Sequence, residues 1–229
     1  MSKKNTAATI ATIIVAVLAI ATTLFLLYQT SQQQIQENQY NYVPSDEVNE
    51  EMNMNAVTLI KNNCEVFRIY LQYGLPHQAE PYNNVPEDGY YTVKSDSYKT
   101  FSDIETLVNS TFVGKEAKRI LTNINGDDVA VYAEETDDDG NKGIGLDIKM
   151  VDENGRFKAI AYDYTWSNAK FTLHPKSNTE CDIIVELNPA EETSSADTSS
   201  GSESGNTKKK TPANMLKVNG QWRLQKLVY

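Results

Sequence analysis

Between Ala7 and Tyr28 the chain carries neither a charge nor a proline, and the run from Ile13 to Ile20 is apolar throughout. As a helix this stretch is about 33 Å long at ~1.5 Å per residue, enough to cross the hydrocarbon core of a bilayer. Lys3 and Lys4 precede it, and the next positive residue is Lys61. That asymmetry places the tail (1–6) in the cytoplasm, a transmembrane helix at 7–28, and everything later outside the cell. A cleaved secretory signal needs small residues after its apolar core. Here Leu24 to Tyr28 are bulky, so an uncleaved single-pass anchor is the better reading.

Residues 29–48 are polar and rich in Gln and Asn, as expected of a stalk. From Asn49 to Tyr73 the pattern changes to a helical period. Val57, Ile60, Cys64, Phe67 and Leu71 form one apolar stripe, ended by Gly74 and Pro76. A short strand is expected at Gly89–Val93. A short helix follows over Ser102–Val108, with Ser102 as N-cap, and another opens at Gly114 or Lys115. Thereafter the period shortens to two. Val129–Ala133 is strand-like, and Ile144, Leu146, Ile148 and Met150 alternate onto one face. Asn154-Gly155 turns this strand into a partner over Phe157–Trp166. Further strands are read at Phe171–Leu173 and Cys181–Leu187. Asn219-Gly220 joins Leu216–Val218 to Trp222–Leu224 in the clearest hairpin of the chain.

The predicted class is α+β: an N-terminal membrane helix, then helices followed by an antiparallel meander of about five to seven strands. A curved sheet wrapping the long helix, as in cystatin-like or NTF2-like folds, satisfies this order. The extracytoplasmic domain spans 49–229. Within it, residues 190–211 are dominated by Ser, Thr, Glu and Gly and end in a lysine run, so they are expected to form a disordered surface insertion.

Charge narrows the partners. The net charge is −10, and without Lys3 and Lys4 the remainder carries −12. An acidic surface repels nucleic-acid phosphates and favours basic partners, so nucleic acid is set aside. Cys64 and Cys181 are the only cysteines. Outside the cytoplasm they are a candidate disulfide, and the plainer alternative is two buried free thiols. No CxxC and no Cys/His cluster suggests a metal centre, and no cofactor is expected.

Candidate chemistry is sparse. His77 and His174, the only histidines, sit in no nucleophile motif. Acids crowd into turn-like stretches at Asp127-Asp128 and Glu134-Glu135-Thr136-Asp137-Asp138-Asp139, where nothing raises a catalytic acid's pKa. An EF-hand register over the second run places Leu146 where the last ligand must be glutamate. Tyr162, Tyr164 and Trp166 alternate onto one side of a strand, either as a buried face or as a row that stacks on a partner.

One resemblance runs through Tyr98-Lys99-Thr100-Phe101-Ser102-Asp103-Ile104-Glu105-Thr106-Leu107-Val108, then Ser110-Thr111-Phe112, then Glu116 to Leu121. Gly126 with Val129 to Tyr132, and the closing Asn219 to Leu224, extend it. These segments resemble the IseA family of exported Gram-positive proteins, which inhibit the DL-endopeptidases that cleave cell-wall peptides. The membrane anchor and the serine-rich insertion depart from that pattern. The resemblance implies inhibition by occlusion, an acidic surface docking on a basic cell-wall peptidase domain. Asp127, Asp128, Glu134, Glu135, Asp137, Asp138 and Asp139, with Tyr162, Tyr164 and Trp166, are the candidate contacts. A ligand-sensing or scaffold domain of the envelope is the second reading, and a carboxylate-dependent envelope hydrolase the third.

Overall fold

The computed structural model describes residues 42–78, 89–126, 129–136, 140–190 and 208–229. The expected tail, the membrane span at 7–28 and the stalk before residue 42 lie outside the described residues. So do Asp127, Asp128, Asp137, Asp138 and Asp139, and positions 191–207 of the expected insertion. Among the described residues no helix is long and apolar enough to cross a membrane. The chain divides into two units, Met1–Val43 and Pro44–Tyr229, and every described element belongs to the second.

The first helix, α1, spans Asp46–Phe67. Its start precedes the expected Asn49, because the Ser45 hydroxyl accepts from the Val48 N–H at 3.4 Å and Asp46 and Glu47 suit the positive helix end. The end of the expected stalk is therefore helix. The apolar stripe is also wider than the sequence suggested. Met52, Ala56, Leu59, Asn63, Val66 and Tyr70 form a buried row beside Ile60, Phe67 and Leu71, whereas Val57 is 55% exposed. A helix packed on more than one side buries more than a single stripe.

α1 runs into a π-helical turn at Arg68–Gln72, where the Tyr73 N–H reaches the Arg68 carbonyl at 2.8 Å. The wider turn buries Ile69, Tyr70 and Leu71 in succession. The Ile69 carbonyl accepts from the Tyr132 hydroxyl at 2.7 Å, and that oxygen accepts from the Leu75 N–H at 2.8 Å. Two shorter helices follow, α2 at Phe101–Thr111 and α3 at Gly114–Asn123. The N-cap of α2 is Thr100, not Ser102. The Asp103 carboxylate reaches back to accept from the Thr100 and Lys99 N–H groups, both at 2.8 Å.

Among the described residues seven antiparallel strands form two sheets rather than one continuous meander. The first, in order β1-β3-β2, comprises β1 (Tyr90–Thr92), β2 (Tyr132–Thr136) and β3 (Lys142–Asp147). The second, in order β4-β5-β6-β7, comprises β4 (Tyr164–Ser177), β5 (Glu180–Pro189), β6 (Lys209–Val218) and β7 (Gln221–Leu224). The break lies where alternation predicted a long hairpin. The Asp147 carboxylate accepts from the Lys149 N–H at 2.8 Å, and Ile148–Met150 coil into a 3-10 turn. Only a Val151–Phe157 bridge remains around Asn154-Gly155, and strand resumes at Tyr164. Lys209, Lys210 and Thr211, expected in the insertion, are strand.

One hydrophobic core joins helices and both sheets. On β5, Cys181, Ile183, Val185 and Leu187 face inward and are fully buried. Cys64 and Cys181 are both free thiols, so the candidate disulfide is not formed. Cys181 instead packs as a small apolar residue on the inner face of β5.

Candidate functional site

A groove runs between α1 and the start of β4. Its deeper part, about 710 Å³, is lined by Cys64, Arg68 and Gln72 on the helical side, and by Tyr162, Tyr164 and Trp166 opposite. A more apolar part, about 600 Å³, continues along Val57 and Ile60 to Tyr98, Leu107 and Phe171. Cys64 and Trp166 line both.

The geometry of the far wall comes from a bulge. Thr165 pairs with Asn188 and Lys170 with Glu186, so four residues of β4 lie opposite Leu187 alone. Asn168 takes a left-handed conformation, φ 57°, which asparagine tolerates better than most residues. The Asn188 amide donates to the Ser167 carbonyl at 3.0 Å, and the Ser167 N–H to the Thr165 hydroxyl at 3.1 Å. Bulges of this kind redirect a side chain out of the regular pleat, and here Trp166 is the residue at its start.

The aromatic row proposed from alternation is half-buried and backed by the core. Tyr162 lies 4.8 Å from the Phe67 ring and 6.0 Å from Tyr164, and Trp166 lies 6.4 Å from Phe67. Lys209 places its ammonium 5.1 Å from the Tyr162 ring centroid and 5.2 Å from that of Tyr164, within cation–π range. The Tyr162 hydroxyl and the Trp166 indole N–H are shielded from solvent and have no hydrogen-bond partner. Such orphaned donors cost about 1–3 kcal/mol each. Burial pushes the Tyr162 phenol up to about 12, so it keeps its proton at neutral pH.

Cys64 and Glu65, the thiol and the carboxylate of the groove, are held in unreactive states. Burial, with the charge of Glu65 beside it, raises the Cys64 pKa and keeps a neutral thiol rather than a nucleophilic thiolate. Glu65 is held below its ordinary value, first by the Arg68 guanidinium at 2.7 and 2.8 Å. The Tyr98 hydroxyl donates to the same carboxylate at 3.0 Å. A lowered carboxylate is the reverse of what a general acid needs. Away from the groove, the two ring nitrogens of His77 face the Leu75 and Gly155 carbonyls at 3.1 and 3.2 Å.

The acidic candidates fare differently. Glu134 and Glu135, expected in a turn, lie in β2, and Glu134 pairs with Lys142 across the hairpin at 2.9 Å. Among the described residues no cluster of three or more His, Cys, Asp or Glu is placed to hold a metal ion. Sequence reasoning missed Arg68, Asn168, Asn188 and Lys209. Lys209 was hidden in a lysine run that read as solvated, and the asparagines carry no motif. The chain matches no known family model and no curated protein.

Proposed function

We propose that this is a membrane-tethered, extracytoplasmic binding domain that inhibits a cell-wall DL-endopeptidase by docking over its cleft. The finer fold suggested is the cystatin-like or NTF2-like one, a curved sheet laid around α1. The observation that carries binding over catalysis is the groove: its thiol is protonated, its carboxylate is neutralised by Arg68, and its wall is a row of half-buried aromatics. The peptidase as partner rests on the sequence resemblance. The segment that bears it contributes Tyr98 and Leu107 to this groove. A net charge of −10 suits a basic partner.

The test is an inhibition assay of the extracytoplasmic part against purified cell-wall DL-endopeptidases of its own organism. Near-stoichiometric inhibition is expected, weakening at least tenfold between about 50 and 500 mM salt as the charges are screened. Failure to bind or slow any of these enzymes at equimolar ratio would sink the reading.

A further inference from the structure

We propose that the deeper cavity, at the β4 bulge, is a binding site for a neutral saccharide, with Trp166 as its stacking platform. In a chain of net charge −10, no carboxylate among the described residues lines this cavity. Its one charged lining residue, Arg68, is already paired with Glu65 in a two-bond contact. Besides the Cys64 thiol and the tyrosine phenols, the polar lining is amide and hydroxyl: Gln72, Thr165, Ser167, Asn168 and Asn188. Among the described residues a cation finds no carboxylate there, an anion finds the arginine already paired, and a purely apolar ligand strands the amides.

A sugar ring matches each element of the lining. Its C–H face stacks on an aromatic ring, while its hydroxyls both donate to and accept from amides. Tyr162 and Tyr164 have Lys209 over their rings, so the platform assigned is Trp166 at the start of the bulge, with the exposed Tyr73 on the helical side as a second aromatic face. The bulge, with its left-handed Asn168, is a local distortion of β4 confined to this wall of the cavity. The Tyr162 hydroxyl and Trp166 N–H, both on lining residues, have no hydrogen-bond partner within the protein. The volume, about 710 Å³, lies within the usual range for small-molecule sites. The inference concerns a ligand of the domain itself and stands whether or not a peptidase docks.

The test is a titration of the protein, with no peptidase present, by tri-N-acetylchitotriose, whose acetamido groups suit an amide-lined site. The chain has two tryptophans, and Trp222 is 3% exposed with its N–H on Glu51, so a fluorescence change reports Trp166. A saturable change at millimolar concentration or below is expected. Trp166→Ala should weaken it at least tenfold as followed by calorimetry, Asn188→Ala severalfold, and Trp166→Phe should retain most of it. Near-UV circular dichroism checks that each variant folds. No saturable binding up to ~10 mM, the weak edge of specific recognition, would overturn the proposal. So would equal affinity in Trp166→Ala and the parent, or a response to extended peptides in place of the sugar.

Discussion

Asn63 shows how one side chain organises the interior. It has no solvent exposure on α1, and its amide both donates to the Val228 carbonyl and accepts from the Val228 N–H, each at 2.9 Å. Glu116 on α3 holds the neighbouring residue by one bond, accepting from the Leu227 N–H at 2.9 Å while Arg119 neutralises it at 2.8 Å. These contacts hold the segment after β7 against two helices. Asn63→Ala leaves two buried backbone groups unpaired and is expected to cost about 2–3 kcal/mol. Denaturant unfolding should show a lower midpoint with an unchanged slope. Neither residue is distinctive in sequence: an asparagine in a helix reads as a surface residue, and only its partner 165 positions away makes it a core residue.

At the scale of elements, packing decides what periodicity leaves open. Gly145 in β3 lies under Tyr90 of β1, and a Cβ there would meet the Tyr90 Cβ at 2.6 Å. That atom is fixed to the backbone, so it does not swing aside. Gly143, two residues earlier in the same strand, has open space around it. Gly145→Ala is therefore expected to lower stability by about 1–3 kcal/mol through overpacking. Gly143→Ala should be neutral or raise it by up to ~1 kcal/mol through lost chain entropy. Calorimetric melting of the pair checks the contrast, and equal shifts would contradict it. The β6–β7 hairpin is the opposite case. Asn219 and Gly220 adopt φ 51° and 79° as their identity demands, because the turn depends only on residues within it.

For the whole molecule, acid lability follows from its paired carboxylates, of which Glu116 is buried. Burial raises the Glu116 pKa, but the Arg119 guanidinium and the Leu227 N–H outweigh it, and the net effect lies below the ordinary 4.5. Glu65 is lowered mainly by its Arg68 bond, and Glu51 by Lys217, which it meets at 2.6 Å. A carboxylate whose folded pKa is depressed stabilises the fold fully above its unfolded value and loses that stabilisation as pH falls through the folded one. The melting temperature should thus hold from pH 8 to about 5 and fall below about 4.5. Glu116→Gln should lower it at pH 7 and flatten part of the acid slope. An unchanged slope would mean that the Arg119 and Leu227 contacts do not hold Glu116 as described.

The sequence by itself determined what local chemistry encodes. The long helix that ends before Gly74, the two helices near Phe101 and Gly114, the alternation of β5 and the Asn219-Gly220 turn all follow from spacing, caps and backbone preference within a few residues. The aromatic row was legible too, though whether it faced core or groove was not. Only tertiary structure decided the rest: two sheets in place of one, the π-turn that meets Tyr132, the bulge that presents Trp166, and the placing of Arg68, Asn188 and Lys209. All but the Arg68–Glu65 pair depend on a partner far away in the chain. Local periodicity states which face of an element is apolar, not which surface will cover it or where two surfaces fail to close and leave a cavity.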